Sequence, residues 1–226
     1  MTLGEPREHH ATIGSTNERA RQLADEGATH GTVVTADAQT AGRGRQGRTW
    51  VTPPGVAIAA SFVLREFDDL LPLRAGLAVA DIAGPDAVVK WPNDVWLDGR
   101  KVAGILAESK SEPRWAVLGI GVNVAVDVTA LPEDAAAVAG TLGMAPEAVE
   151  PMLGELLVTL QARLEQDRSS LLTALRQRDA LLGRRVRWQD GEGLGAGIDA
   201  SGALLVDSKG KTLTLNAGEV TLSAHL

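Results

Sequence analysis

With 226 residues, 44% of them hydrophobic, and a formal net charge of −7, the chain is long enough for one full core plus a small appended domain. The acidic balance argues against general nucleic-acid binding, which depends on neutralised phosphates, and the absence of cysteine excludes a disulfide framework, a thiol nucleophile and Cys-ligated zinc. No apolar run approaches the ~20 residues of a membrane-spanning helix, and the N-terminus lacks the apolar centre of a signal peptide, so a cytoplasmic protein that does not bind membranes is expected.

The first half of the chain predicts a helix followed by strands. Ser15 and Glu18 have the spacing of a capping box, which begins a helix that ends near Glu26, with Gly27 as its C-terminal stop. Small and β-branched apolar residues then predict two strands, and a longer apolar segment predicts a helix packed on a sheet. These three elements are 32–36, 56–64 and 73–83.

The second half contains the strongest hairpin signal. Asp98-Gly99 lies between two short apolar runs, which suits a tight two-residue turn and places Lys101 at the start of the returning strand. A buried strand is predicted at 116–124 and helices at 146–166 and 169–182, the first with proline near its N-terminus. Short strands divided by glycine turns then predict a small β-barrel: 185–189, 194–199, 203–207, 212–216 and 220–223. The predicted domains are therefore 1–182 and 183–226.

Glycines and arginines alternate between residues 40 and 50, which read Thr-Ala-Gly-Arg-Gly-Arg-Gln-Gly-Arg-Thr-Trp. Glycine lets backbone N–H groups approach a ligand and accepts positive φ, and arginine pairs bidentately with carboxylate or phosphate. The segment therefore predicts an anion-binding loop, with a flexible basic turn as the alternative. Pro53 and Pro54 stand where a dinucleotide-binding fold would begin its helix, so the glycines are predicted to lie in a loop between strands.

A second cluster stands downstream, Lys90-Trp91-Pro92-Asn93-Asp94, and the hairpin returns through Lys101-Val102-Ala103-Gly104-Ile105-Leu106-Ala107-Glu108. Three further pieces occur in order with these: Ser15-Thr16-Asn17, Gln39 and Gly119-Ile120-Gly121-Val122-Asn123. Together they resemble the biotin protein ligases, also called biotin-[acetyl-CoA-carboxylase] ligases, most clearly over about residues 10–125. The resemblance implies an α+β fold: a class II aminoacyl-tRNA-synthetase-like catalytic domain, with a mixed β-sheet flanked by helices, precedes a small SH3-like β-barrel.

The resemblance also implies a two-step reaction. The biotin carboxylate attacks the α-phosphate of ATP, releasing pyrophosphate and forming biotinyl-5′-AMP, and a lysine of a biotin carboxyl carrier domain then displaces AMP. Attack of one anion on another requires fixed cations and backbone donors directed at the reacting atoms. ATP and biotin are the expected substrates, Mg²⁺ accompanies ATP, and the expected partner is the carrier domain of acetyl-CoA carboxylase or a related carboxylase.

Site residues are carried over by position. The candidate catalytic residues are Lys90, Asp94, Lys101 and Arg45. The candidate biotin-binding residues are Ser15, Thr16, Asn17, Gln39, Gly42, Arg43, Gly44, Arg45, Lys90 and Gly104. The candidate ATP or adenylate contacts are Arg43, Arg45, Arg48, Trp50, Lys90, Asn93 and Asn123. This division suits the chemistry, because a ureido ring needs neutral donors and acceptors whereas a phosphate needs cations.

Structural roles compete with these assignments. Lys90 follows an apolar segment, where a buried ammonium needs a partner, yet a lysine at a strand end also reaches solvent. Asp94 is open between three roles: orienting Lys90 or Lys101, receiving the proton of the incoming amine, and contacting Mg²⁺. Other residues also have a purely structural alternative. Ser15 could be only an N-cap, Asn93 and Asn123 could be only turn residues, and Trp91 and Trp96 could be only buried aromatic residues.

Three expectations concern departures from the family and the loop. Only about a dozen residues precede Ser15, so the DNA-binding domain of family members that double as repressors, and repressor activity, are not expected. Gly218-Glu219-Val220 matches a family segment, but Thr221-Leu222-Ser223 stands where a basic residue often follows. The loop is predicted to be mobile until ligand orders it, because its glycines oppose any fixed conformation.

Three further functions stay open from sequence. A lipoate-protein ligase would share the fold and the adenylate chemistry, although the Gly-Arg loop with Lys-Trp-Pro-Asn-Asp favours biotin. A non-enzymatic biotin or nucleotide sensor would show no turnover, and a nucleic-acid-binding module would bind oligonucleotides in a salt-sensitive manner. Monomers and dimers both occur in the family, so a homodimer is also open.

Overall fold

The computed structural model describes residues 3–222, which form a seven-stranded and a five-stranded sheet with few helices. The strands of the larger sheet are β1 (Arg7–Ile13), β2 (Val33–Gln39), β3 (Ala57–Leu64), β4 (Val88–Lys90), β5 (Asp94–Leu97), β6 (Arg100–Lys110) and β7 (Trp115–Asn123). Their order is β1-β2-β3-β7-β6-β5-β4. Only β1 and β2 are parallel; all other neighbours are antiparallel, so the sheet is mixed, as predicted.

Helices cover the larger sheet, and the smaller sheet follows them. The helices are α1 (Thr16–Asp25), α2 (Leu71–Ala83), α3 (Glu133–Ala136), α4 (Val149–Glu165) and α5 (Arg168–Gln177). The smaller sheet is antiparallel, in the order β11-β10-β9-β8-β12, and consists of β8 (Arg185–Trp188), β9 (Gly191–Ile198), β10 (Leu204–Ser208), β11 (Lys211–Leu215) and β12 (Thr221–Leu222). Within residues 3–222, no helix is both long and apolar enough to cross a membrane.

The two faces of the larger sheet carry different cores, because successive residues of a strand face opposite sides. On β7, Leu118 and Ile120 belong to the main core with residues of α2, α4 and α5. Val117 belongs instead to a small core under α1, with Ala20 and Ala24. Both faces of β7 are covered, so all its residues are buried. The N-terminus of α1 lies over the part of the sheet that contains the glycines of β6 and β7.

One local prediction holds in part and another in full. Ser15 is the N-cap of α1 and accepts from the Glu18 backbone N–H at 3.5 Å, but the Glu18 side chain pairs with Arg21, so only half of the predicted capping box forms. The hairpin turn has φ values of 50° at Asp98 and 73° at Gly99, the pair of positive φ angles that a tight type I′ turn requires.

Other predictions need correction. Helix α5 ends at Gln177 rather than near residue 182, because the chain beyond it extends along β4: Val89 N–H donates to Arg178 O at 2.8 Å and Ala180 N–H donates to Val89 O at 3.0 Å. Residues 146–148 form a 3₁₀ turn before α4. The edge strand β1 has no counterpart in the prediction, because exposed polar residues give it no apolar alternation. The strand predicted at 220–223 is seen as β12, and Ser223 lies outside the described residues.

Candidate active site

The register of the larger sheet builds the floor of a cavity. Lys90 lies opposite Asp94, Asp94 opposite Gly104, Gly104 opposite Gly121, and Gly121 opposite Ala59. Residues directly opposite each other share a face of the sheet. One row across five strands therefore runs from a lysine and a carboxylate to two glycines, and all five residues line the same cavity.

The walls of this cavity, whose volume is about 110 Å³, come from distant parts of the chain. They are the start of α1, the end of β2, the Gly-Arg loop, the turn between β4 and β5, the start of β6 and the C-terminal segment. These parts supply Ser15, Thr16, Asn17, Gln39, Arg43, Gly44, Arg45, Arg48, Trp50, Asn93, Lys101, Glu219 and Val220. Every candidate residue named from the sequence lines the cavity except Gly42 and Asn123.

Those two residues lie just outside the cavity. Gly42 accepts a backbone hydrogen bond from Trp50 N–H at 2.9 Å, and a Cβ at this position would stand 2.3 Å from the Trp50 carbonyl oxygen. Glycine is therefore required there by the close approach of two backbone segments. The buried Asn123 amide donates to Gly140 O at 2.8 Å, and its predicted contact with ATP stays a prediction.

A carboxylate shared by two lysines occupies one end of the cavity. Lys101 Nζ lies 2.6 Å from Asp94 Oδ1, and Lys90 Nζ lies 4.0 Å from Asp94 Oδ2. Lys90 is only 7% exposed. Burial lowers its pKa, the nearby charges of Lys101 and Arg48 add to that effect, and Asp94 and Glu219 oppose it.

The same geometry bears on the three roles left open for Asp94. Because both of its oxygens face ammonium groups, the arrangement fits an orienting role better than direct coordination of a metal. Within residues 3–222, no three His, Cys, Asp or Glu side chains form a metal-binding group. Each lysine also lies over an indole, Lys90 at 5.5 Å from the Trp96 ring centre and Lys101 at 5.6 Å from that of Trp50, within cation–π range.

Neutral polar groups form the opposite end. The backbone N–H and the hydroxyl of Thr16 donate to Gln39 Oε1 at 2.9 and 3.1 Å, and Gln39 Nε2 donates to Thr52 Oγ1 at 3.0 Å. Ser15 both caps α1 and lines the cavity, so its capping role does not exclude a contact with ligand. This end presents hydroxyls and amides without a formal charge.

The Gly-Arg loop is folded over the floor, and its arginines are held by three other parts of the chain. Arg43 lies 3.4 Å from Glu18 of α1, and Arg45 donates to Asn93 Oδ1 at 3.0 Å and to Gly218 O at 3.3 Å. Arg48 forms an ion pair with Glu219, which raises the pKa of Arg48 and lowers that of Glu219.

Trp50 lies on the glycine floor. A Cβ at Gly121 would stand 2.4 Å from Cε2 of the indole, and one at Gly104 would stand 3.0 Å from Cζ3. The Trp50 Nε1–H group is buried and has no hydrogen-bond partner among the described residues. Buried donors are usually paired, so an N–H without a partner is unusual at this position.

Several lining residues were not among the candidates named from the sequence: Ala59, Gly119, Gly121, Glu219 and Val220. The sequence contains a signal for the two glycines and for the two C-terminal residues. Glycines alternating in an otherwise buried strand indicate close approach of another group, and Gly218-Glu219-Val220 already matched a family segment. The small residue Ala59 carried no signal, because only the pairing of β3 with β7 places it in the floor.

Known proteins of one family are similar to this chain. The model of the biotin/lipoate A/B protein ligase family matches residues 10–125. A biotin-[acetyl-CoA-carboxylase] ligase of Mycobacterium tuberculosis is 38% identical over 93% of this chain and 86% of its own length, and one of Paracoccus denitrificans is 36% identical over 93% and 98%. A solved biotin protein ligase from Aquifex aeolicus in complex with biotin and ATP superposes with a TM-score of 0.82 at 27% identity, over 97% of this chain and 100% of that one.

Proposed function

The chain belongs to the biotin/lipoate A/B protein ligase family, and from this premise we propose how its cavity works. It is a biotin protein ligase: it activates biotin with ATP to biotinyl-5′-AMP and transfers the biotinyl group to a lysine of a carrier protein. The family model alone covers biotin and lipoate ligases, whereas the relatives of 36–38% identity are biotin ligases. The observation that best supports the mechanism is a single cavity with a neutral polar end and a cationic end.

The two ends divide the ligand between them. We place the ureido ring at the neutral end, beside Thr16, Asn17 and Gln39, since these groups match its donors and acceptors. The carboxylate then extends across the glycine floor towards Lys90. Its attack on the α-phosphate brings two anions together, and a buried ammonium stabilises the charge that develops there because little water screens it.

Around the phosphate, we assign supporting roles to Arg45, Arg48 and Lys101. The guanidinium groups can hold phosphate oxygens bidentately, and Asp94 orients the two lysines with which it is paired. In the second half-reaction, the carrier lysine attacks the same carbonyl carbon that Lys90 faces.

The proposal extends to the domain types, the metal ion, the partner and the location of the protein. We describe residues 1–182 as a class II aminoacyl-tRNA-synthetase-like catalytic domain and 183–226 as an SH3-like barrel, supported by the separate antiparallel sheet from β8 onward. Mg²⁺ is proposed to arrive with ATP, and the partner to be the carrier domain of a biotin-dependent carboxylase. A cytoplasmic location and a homodimer, for which the edge strand β1 offers one means of pairing, stay predictions.

The direct test is incubation of the protein with biotin, MgATP and a biotin carboxyl carrier domain, followed by intact mass of the carrier. We expect the addition of one biotinyl group, and its loss with Lys90→Ala, whose folding is checked by circular dichroism. Lipoylation of a lipoyl domain without biotinylation would move the assignment to lipoate ligases. No modification in either assay would refute a ligase.

A further inference from the structure

Both sides of the Asn17 side-chain amide are held by neighbours. Asn17 is buried and lines the cavity. Its Nδ2 donates to Glu108 Oε2 at 3.0 Å, and its Oδ1 accepts from Ser61 Oγ at 2.6 Å. An ionised glutamate accepts hydrogen bonds but cannot donate them, so the nitrogen of the amide must face Glu108 and the oxygen must face Ser61.

Glu108 is itself fixed in place. Its other oxygen accepts from Arg21 of α1 at 3.1 Å, and Arg21 also pairs with Glu18. The Glu108 side chain is about a quarter exposed, at 27%, and it does not line the cavity. Glu108 therefore connects β6 to α1. It reaches the cavity directly through Asn17, and more remotely through the ion pairs of Arg21 with Glu18 and of Glu18 with Arg43.

The orientation of the amide decides what Asn17 offers to a ligand. Its oxygen lies directly over β7, since a Cβ at Gly119 would stand 2.0 Å from Oδ1. An amide oxygen has two lone pairs, and Ser61 occupies one of them. The other can accept an N–H, which is the group that a cyclic urea presents at its edge.

We propose that Glu108 is a positioning residue that selects ligands with an N–H donor on the ring, by holding the oxygen of Asn17 in the cavity as an acceptor. The inference rests on the proposed function, in which that ring is the ureido ring of biotin. A dithiolane ring has no N–H and gains nothing from this arrangement. Glu108 thus contributes to the choice of biotin over lipoate without touching either.

The test is Glu108→Gln, which preserves shape and removes the charge. Arg21 keeps the amide oxygen of the new side chain, because hydrogen bonds to a charged donor are stronger, so the amide nitrogen turns towards Asn17. The present orientation of the Asn17 amide is then supported on its nitrogen side only by the longer bond to Leu106 O at 3.5 Å, and a flip is favoured. We expect the KM for biotin to rise about fivefold to tenfold, the factor for one lost hydrogen bond. The KM for ATP and the kcat of adenylation, followed by pyrophosphate release, should stay within about twofold.

The chain offers a matched control. Lys110 Nζ donates to Asp25 Oδ1 at 2.7 Å and so connects the same two elements, β6 and α1, away from the cavity. Lys110→Met should leave the KM for biotin unchanged. An equal rise in both variants, or a parallel rise in the KM for ATP with Glu108→Gln, would mean that Glu108 only stabilises α1 and would overturn the proposal.

A double-mutant cycle examines the route through Asn17. In an Asn17→Ala background, Glu108→Gln should have no further effect on the KM for biotin; a second, additive rise would refute the route. If Glu108→Gln does not fold, Ser61→Ala removes the donor to Asn17 Oδ1 from the other side. Because Ser61 Oγ also lies 2.8 Å from Thr16 Oγ1, the variant is compared with and without Asn17→Ala: a smaller rise in the KM for biotin in the Asn17→Ala background supports the route through Asn17, and an equal rise refutes it. Wild-type protein that fails to biotinylate the carrier would refute the proposed function itself, a result distinct from these.

Discussion

Lys90 differs from an ordinary lysine at the end of a strand in the depth of its burial. The preceding residue, Val89, packs in the main core. The ammonium itself lies 4.0 Å from Asp94, and the charges of Lys101, Glu219 and Arg48 also act on its pKa. Burial lowers its pKa, and the carboxylates of Asp94 and Glu219 oppose that shift and so favour the charged form. The proposed mechanism of adenylation uses this charged form. Activity should therefore be present at low and neutral pH and fall as pH rises through the pKa of Lys90.

Replacement of Asp94 makes this dependence measurable. Asp94→Asn removes the carboxylate that most strongly raises the pKa of Lys90, so that pKa should fall further. The alkaline limb of adenylation, followed by pyrophosphate release without carrier, should then shift to lower pH. Asp25→Asn, which removes a carboxylate paired with Lys110 outside the cavity, is the control. Identical alkaline limbs in wild type and Asp94→Asn would contradict the role of this pair.

The glycine floor can be tested by a single methyl group. Gly121→Ala would place its Cβ 2.4 Å from the Trp50 indole, so the ring must leave its position. Because displacement by about 1 Å at a site can cost ~10²-fold, we expect kcat/KM for ATP and biotin to fall by about that factor while the protein stays folded.

Gly154→Ala is the control for this substitution. No atom lies within 4 Å of a Cβ added at Gly154, which sits inside α4, so alanine should stabilise the fold by up to about 1 kcal/mol and leave activity unchanged. Denaturant unfolding measures the stability of both variants, and steady-state kinetics measures their activity. Full activity of Gly121→Ala would show that Trp50 need not lie on the floor.

At the scale of elements, the loop between β2 and β3 is held by the C-terminal segment. Arg48 pairs with Glu219, and Arg45 donates to the Gly218 carbonyl. Of the four glycines between β2 and β3, Gly47 and Gly55 have a positive φ, 76° and 71°; Gly42 is needed for close backbone approach instead. Proteolysis with and without ligand tests the predicted mobility of this loop.

We expect biotin with ATP to protect the loop from trypsin, which cleaves after its arginines. Glu219→Gln should increase cleavage of the unliganded protein severalfold, since a partly exposed ion pair contributes up to about 1 kcal/mol. Glu192→Gln, which removes the partner of Arg185 and Arg187 in the smaller sheet, should not. Equal cleavage with and without ligand would argue against ordering of the loop, and wild-type cleavage rates in Glu219→Gln would exclude a role for Glu219 in holding it.

For the whole molecule, Trp91 joins the two sheets. Its indole is buried and donates to the Gly202 carbonyl at 3.0 Å, and Arg168 adds hydrogen bonds to the neighbouring carbonyls of Ala200 and Ser201. This contact supports a structural role for Trp91, although the residue stands within a motif that contains cavity residues.

Trp91→Phe should weaken the fold more than the activity. The phenyl ring keeps most of the apolar contact but leaves the Gly202 carbonyl without its donor, at a cost of about 1 to 3 kcal/mol. We expect a corresponding decrease in the free energy of unfolding in urea, with KM values for biotin and ATP within about twofold of wild type. A large rise in either KM at unchanged stability would assign Trp91 to the site.

Much of the fold and the site could be predicted because the signals are local. Neighbouring residues alone determine three of these features: the N-cap Ser15 of α1, the hairpin turn at Asp98-Gly99, and the short strands separated by turns after Gly183. The strand β1 and the end of α5 could not be predicted, since pairing with β2 and with β4 overrides weak local preferences.

The sequence by itself determined the family, the chemistry that the cavity must support and most of the side chains that line it. Only the tertiary structure decided which of them act together. The register across five strands puts Lys90, Asp94, Gly104, Gly121 and Ala59 in one row, and the packing of α1 on β6 brings Glu108 to Asn17. Contacts between residues so far apart along the chain depend on strand pairing and burial, which no local pattern encodes.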